Sequence, residues 1–385
     1  MCFAPKIMFN GKFGGGVKEW LRTGGNEQSL KKQLAEGKAK LIPCGQCMAC
    51  RKQHAQNWAA RCQNESTYWE YTYFITLTYD EEHLPVIDKN TGELYRGFRN
   101  PLDYYNQGKR YENSTLLISD MQKFLKRLRQ HAHRHGLYED EERGCKVFYC
   151  GEYGSKTSRA HYHLLLYGVK IPDLKVLKRM KGVEYDISET ISNLWGMGHV
   201  IIGQLNFKTC SYVAKYVMKK YCGPDKMKVY KEAGRTPEFV QMSRKPGIGK
   251  KYWEEHRKDI YKYDSVLVGE GKTVKPPKYY DLNEDDKRLE EEEGVNVKEI
   301  RDIEKCRGAF EKGLPKMHSH SMQLLKNERS QRAIESLLER LKKTSVSLLE
   351  YMEIQEGAWK EKNRRSIRRE GNMIAEQREQ PAVWR

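Results

Sequence analysis

Two runs of aromatic and apolar side chains, Lys146–Cys150 and His161–Tyr167, flank a polar connector containing Gly154, Ser155, Lys156 and Ser158. That pattern predicts a β-hairpin with a longer loop. The β-branched and aromatic run Thr72–Tyr79 predicts a central strand, and Gly198–Leu205 another. Helical patterning covers Arg51–Glu70, with Trp58, Cys62 and Tyr68 among its larger apolar side chains. It returns where Met121, Phe124, Leu125 and Leu128 form a stripe, opened by a Ser119–Gln122 capping box and closed by Gly136. Phe207–Tyr221 predicts a further helix with Val213 and Val217 on its buried side, and Pro172–Arg179 and Ser188–Trp195 predict short ones. Residues 1–42 show little periodicity and two glycine clusters, which predicts loop and partial disorder. Asp80–Asn113 is a long polar insertion, of the kind that is usually functional or disordered.

Helices interleaved with hairpin-like strands imply an α+β fold, an antiparallel sheet of about five strands with helices packed on it. The expected organisation is an N-terminal segment with a leading helix (1–70), a sheet domain (71–222), a basic extension (223–283) and a charged helical region (284–385). The last begins where acidic Glu284–Glu293 gives way to Leu-spaced charged stretches such as Ile334–Glu350.

Charge narrows the class of partner. Lys+Arg number 70 against 52 Asp+Glu, a formal charge of +18 over 385 residues, with aromatics interleaved among the basic residues. Nucleic acid is the partner this implies. No apolar run approaches the roughly 18 residues of a spanning helix, and the start has no continuous apolar core of a signal peptide. Ten cysteines, three of them within seven residues, do not resemble a secreted disulfide framework and fit a reducing cytosol. No G-x4-G-K-[ST] sequence occurs, so no nucleotide cofactor and no fused helicase is expected.

Three groups of residues carry candidate chemistry. His161 and His163 alternate on a strand, so both imidazoles share a face, and Glu152 at the end of the partner strand can add a carboxylate. By itself H-x-H also fits two solvated histidines. The nearby Glu152 and a later tyrosine pair favour a divalent metal site, for Mg2+ or Mn2+. That pair, Tyr212 and Tyr216, lies four residues apart on one helical face, with Lys215, Lys219 and Lys220 close by. Cys44, Cys47 and Cys50 have C-x2-C-x2-C spacing, with Cys62 or His54 as fourth ligand. Zinc is the first reading, with a ferredoxin-like cluster or free thiols as alternatives. Ser243–Gly249 is a basic turn whose Arg244 and Lys245 either meet phosphate or merely border a tight connection. His318-Ser319-His320 repeats the H-x-H spelling without strand character and is read as a decoy.

The hydrophobe-flanked His161-Tyr162-His163, preceded by Gly151–Gly154 and followed by Tyr212–Tyr216, resembles the HUH endonucleases. Adding Pro43–Arg51, Phe74–Tyr79, Phe124–Arg129 and Ser243–Gly249 narrows the resemblance to replication initiators of small single-stranded DNA phages, the Microviridae, of gokushovirus type. It spans about residues 43–250. The resemblance implies an HUH-endonuclease-like sheet and a divalent ion on His161, His163 and Glu152. It implies nucleophilic Tyr212 and Tyr216 forming a 5′-phosphotyrosine on single-stranded origin DNA, and rolling-circle replication in the bacterial host cytoplasm with host helicase and polymerase as partners. A single-strand transposase or relaxase shares that chemistry. A zinc-stabilised DNA-binding protein without catalysis is the reading from another class, and the two classes differ in whether the His and Tyr pairs meet in space.

Overall fold

Strands with apolar side chains on both faces need a layer on each side, and the predicted hairpin is built of such strands. The computed structural model of the chain describes residues 2–9, 12–88, 91–97, 111, 113–154, 157–180, 183–220, 230–269, 271–310 and 317–362. In chain order the first elements are β1 (Lys6–Phe9), β2 (Lys12–Gly16), α1 (Val17–Arg22), α2 (Glu27–Ala35), β3 (Ala39–Ile42), α3 (Met48–Ser66), β4 (Thr72–Thr78), β5 (Pro85–Ile87) and β6 (Leu94–Arg96). Next come α4 (Ile118–Arg134), β7 (Lys146–Tyr153), β8 (Ala160–Tyr167), β9 (Lys175–Met180), β10 (Val183–Ile187), α5 (Glu189–Trp195), β11 (Val200–Gln204) and α6 (Phe207–Lys220). The rest are β12 (Phe239–Met242), α7 (Lys250–Tyr263), β13 (Val266–Leu267), β14 (Thr273–Val274), α8 (Lys278–Glu293), α9 (Val297–Phe310), α10 (His320–Thr344) and α11 (Leu348–Lys362). The fold is α+β, and its packing divides the chain into Met1–Cys50 with Pro276–Arg364, and Arg51–Lys275.

In the second of these units, seven strands rather than about five form one sheet, in the order β12-β7-β8-β4-β11-β10-β9. All neighbours are antiparallel. One added strand, β12, comes from the basic extension. The others, β9 and β10, form an edge hairpin that includes most of the stretch read as a helix at Pro172–Arg179. Val176 and Leu177 there are 55% and 48% exposed, so no apolar stripe exists for a helix to bury. Period-2 alternation sorts the two sheet faces. Val147, Tyr149, Tyr162, Leu164 and Leu166 face α4 and α5, packing with Met121, Phe124, Leu128, Ile191 and Trp195. Phe148, Cys150, Leu165 and Tyr167 face the other way, with Ala55, Ala59 and Cys62 of α3 and Cys210, Val213 and Ala214 of α6.

The middle residue of His161-Tyr162-His163 has its own task on the α4 side. Its hydroxyl accepts from the backbone N–H of Leu117 at 2.9 Å and lies 2.8 Å from the Tyr79 hydroxyl. Tyr162 thereby serves the start of α4, where Leu117 offers no capping side chain. The capping box at Ser119 is not used: the helix begins one residue earlier, and buried Asp120 is instead held by both Arg96 nitrogens, at 2.9 and 2.8 Å. Gly136, at φ +57°, does stand past the end as expected. Arg96 belongs to the β5–β6 hairpin inside the long polar insertion, most of whose remainder (98–110) lies outside the described residues.

A buried carboxylate ties the second face together. Glu65 of α3 meets the Lys146 ammonium at 2.8 Å, accepts from Trp69 Nε1 at 2.9 Å, and accepts from the Gly249 N–H at 2.7 Å. Glu65→Leu strands the Lys146 charge in the interior. The expected loss of stability is about 3–5 kcal/mol, the scale for breaking a buried pair from one side, read by chemical denaturation.

The other unit overturns the expectation of disorder in residues 1–42. Strands β2-β1-β3 form a small antiparallel sheet with α1 and α2 beside it. Ile7, Val17, Leu30, Leu34 and Ala39 are buried together with Ile334, Leu337, Leu341, Leu348, Tyr351 and Met352. The glycine-rich segment is too short to bury its own apolar residues, and helices from the far end of the chain cover them. The expected long C-terminal helices are present as α8 to α11. No described helix is long and apolar enough to cross a membrane.

Candidate metal and nucleophile site

Antiparallel register decides which side chains meet. Glu152 of β7 pairs directly with His161 of β8, and Cys150 with His163, so the carboxylate lies opposite one histidine and diagonal to the other. His161 Nε2 is 2.8 Å from Glu152 Oε1, and His163 Nε2 is 3.0 Å from the same oxygen. Three donor atoms of a mixed N,N,O set thus converge within 4.8 Å of one another.

The other ring nitrogens are engaged as well. His161 Nδ1 is 3.0 Å from the Arg159 carbonyl, which can only accept, so that nitrogen carries the proton. A neutral His161 then presents the Nε2 lone pair inward. His163 Nδ1 lies 3.0 Å from Thr76 Oγ1, on the neighbouring strand β4. Burial alone would raise the pKa of Glu152, which is 4% exposed, but hydrogen bonds from His161 and His163 outweigh it. They hold the carboxyl well below its usual range, so it is ionised at neutral pH. Two oriented imidazoles and one anionic oxygen fit a divalent cation.

Helix α6 lies on the same face of the sheet because Cys210, Val213 and Ala214 bury there, leaving Tyr212 at the edge, 39% exposed. Its hydroxyl donates to Glu152 Oε1 at 3.3 Å. Its ring meets His163 edge-on, with centroids 5.0 Å apart. Phe74 of β4 stacks on His163 at 5.4 Å and stands edge-to-face with Tyr212 at 6.1 Å, so one aromatic side chain sets both rings.

Other predicted residues are placed less centrally. Tyr216, Lys219 and Lys220 belong to α6, but their side chains lie outside the described residues. Lys215 is exposed on that helix. Arg244 and Lys245 are exposed but are not beside the histidines. Ser243 N–H donates to the Val147 carbonyl at the start of β7, and Glu152 is five residues further along, roughly 16 Å at about 3.3 Å per residue. The glycine turn after them is turned inward, with its Ile248 carbonyl accepting from Arg61 and its Gly249 N–H given to Glu65. His318 bonds Asp285 at 2.6 Å and Ser319 caps α10, so this second H-x-H is part of a helix start.

Among the cysteines, Cys62 is fully buried in the sheet-side core, its thiol pushed up to about 12 by burial. His54 is exposed on α3. Neither joins Cys44, Cys47 and Cys50; the group is completed by Cys2. Sequence reading also missed Thr76 and Phe74, whose position opposite His163 follows only from strand pairing. Thr76→Val should weaken Mn2+ binding by about 10–100-fold, the usual effect of removing an outer partner of a histidine ligand, as titration calorimetry would measure.

The family model for replication-associated proteins of the ORF2 type matches residues 72–221, which include the histidines, Glu152 and both tyrosines. The Spiroplasma virus 4 replication-associated protein ORF2 is 33% identical over 245 residues, 62% of this chain and 66% of that protein. Replication-associated protein VP4 of Bdellovibrio phage phiMH2K is 30% identical over 260 residues, covering 67% of this chain and 72% of the relative. For the replication-associated protein ORF4 of Chlamydia phage 1 the figures are 28%, with 47% of this chain and 38% of the relative covered. No solved structure matches the chain. A family match lying over the sheet, and relatives named for replication in three phages, show that the chain belongs to the phage replication-associated proteins of Microviridae type.

Proposed function

We propose that the protein nicks and rejoins single-stranded origin DNA by the transesterification of the HUH endonucleases, starting and ending rolling-circle replication. The observation that carries this is the meeting of the Tyr212 hydroxyl and both imidazoles on one oxygen of Glu152. A divalent ion, Mg2+ or Mn2+, held by His161, His163 and Glu152 supplies Lewis-acid chemistry to a phosphate oxygen when bound.

The protein's own groups do the rest. Phe74 and Glu152 fix the Tyr212 ring and hydroxyl beside the ligand atoms, where a scissile phosphate would lie. Tyr212 Oη bonds to phosphorus and gives up its proton; the P–O3′ bond breaks and the 3′ oxygen takes up a proton. The resulting 5′-phosphotyrosine conserves the phosphodiester's energy for rejoining. Tyr216, one helical turn on, is placed by the sequence to act as the second nucleophile. Lys215, Lys219 and Lys220 offer charge to the strand's phosphates, and Arg244 and Lys245 to phosphates several nucleotides away. The released 3′-hydroxyl is a primer for a host polymerase, and without a phosphate-binding loop of its own the protein leaves unwinding to a host helicase.

The test is a purified protein incubated with a single-stranded origin oligonucleotide and Mn2+ or Mg2+. A denaturation-resistant protein–DNA adduct is expected, and EDTA should prevent it. Absence of any adduct with either ion, while the DNA still binds, would leave a non-catalytic DNA-binding protein.

A further inference from the structure

We propose that Cys2, Cys44, Cys47 and Cys50 form a tetrathiolate zinc site that fastens residue 2 to the loop leading into α3. It uses none of the groups of the proposed nuclease site.

Topology makes the site. Strands β1 and β3 pair antiparallel with Lys6 opposite Ile42, so the segment before β1 and the segment after β3 leave the small sheet at the same end. Phe3 is buried and packs on Trp359 with ring centroids 5.6 Å apart, and Pro5 accepts from the Val17 N–H, which together hold the segment carrying Cys2. On the other side, Gly45 takes φ +74°, a left-handed conformation that lets Cys44 and Cys47 turn toward one point. Cys50 then falls in the first turn of α3.

The sulfur geometry selects the occupant. All four Sγ atoms lie within 4.8 Å of one another, with Cys2 Sγ 3.4 Å from Cys44 Sγ and 3.7 Å from Cys47 Sγ. A disulfide needs about 2.05 Å. A tetrahedral zinc with Zn–S near 2.3 Å separates its sulfurs by about 3.8 Å, which is the spacing found. A four-iron cluster would place a cube of iron and sulfide between the thiolates and spread them further. Backbone N–H groups also point at sulfur, Cys44 N–H to Cys2 Sγ at 3.3 Å and Cys47 N–H to Cys44 Sγ at 3.2 Å. Such N–H···S bonds, together with the start of a helix at Cys50, favour thiolate over thiol. Four thiolates and no carboxylate are a soft donor set, which selects zinc over magnesium or manganese.

The experiment uses the full chain carrying His163→Ala, so that the histidine site does not add to the count, purified reduced and without chelator. One zinc per chain is expected by elemental analysis. Cobalt exchanged into the site should give an intense thiolate-to-cobalt charge-transfer band in the near ultraviolet. Cys2→Ser should lower zinc affinity by about 100-fold or more, whereas Cys62→Ala should leave one zinc per chain. If Cys2→Ser does not fold, the zinc content and cobalt spectrum of the otherwise unaltered chain still decide. Reduced protein without zinc, iron in its place, a cobalt spectrum lacking the thiolate band, or zinc lost in Cys62→Ala and retained in Cys2→Ser would each overturn the proposal.

Discussion

Replacing Tyr212 and Tyr216 together by phenylalanine is expected to abolish the covalent DNA adduct while leaving single-stranded DNA binding nearly unchanged. The substitution removes two hydroxyls and nothing else. The Tyr212 ring keeps its edge contacts with His163 and Phe74, so α6 keeps its seat on the sheet. The lysines that would hold phosphate are untouched. The single variants should differ. Tyr212 is the tyrosine whose hydroxyl donates to Glu152 at 3.3 Å, and one turn of helix moves the next hydroxyl by about 5.4 Å along the axis. Tyr212→Phe should therefore lower first-strand cleavage by at least about 100-fold, the scale on which one positioned catalytic group acts. Tyr216→Phe should spare that cleavage and impair the second transfer. Radiolabelled oligonucleotide resolved on a denaturing protein gel reads both. An adduct that persists in the double variant would assign the nucleophile to another residue and remove the basis of the proposed chemistry.

How much of this was legible follows from the range of each signal. The His161/His163 pair and the Tyr212/Tyr216 pair are written in periods of 2 and 3.6, which any short window shows. Glu152 was legible because a hairpin's register is nearly set by its own loop. Thr76 was not, although it bonds His163. Its partner strand is 87 residues distant, and nothing local says that β4 rather than β11 lies against β8. Cys2 was invisible for the same reason, since 42 residues and a three-stranded sheet separate it from Cys44. The glycine-rich start looked disordered because its apolar residues are completed by α10 and α11. The misassigned stretch at Lys175–Met180 has a different cause. An exposed edge hairpin carries no buried face, so neither period is imprinted on it. Arg244 and Lys245 looked like site residues because they are basic and precede glycines, but the turn those glycines build serves Glu65 inside the protein.

His163→Ala should also eliminate the adduct, for a reason that can be told apart from loss of the nucleophile. His163 is 5% exposed, with Nε2 on Glu152, Nδ1 beside Thr76 and its ring stacked on Phe74. Alanine leaves His161 and Glu152 as the only donors of the set. Loss of an outer partner of a ligating histidine costs about 10–100-fold in metal affinity, and loss of the ligand itself should exceed that. At a fixed modest Mn2+ concentration the site would then be mostly empty and the adduct absent, although Tyr212 still stands by Glu152. Two comparisons separate the causes. In calorimetry the double tyrosine variant should bind Mn2+ as the unaltered protein does, and His163→Ala should bind it at least about 100-fold more weakly. Raising Mn2+ should return part of the adduct to His163→Ala by mass action and none to the double variant, which has no oxygen to attack. Should His163→Ala bind Mn2+ with unaltered affinity, the convergence on Glu152 would be a buried hydrogen-bonded cluster and the divalent ion would have to be held elsewhere.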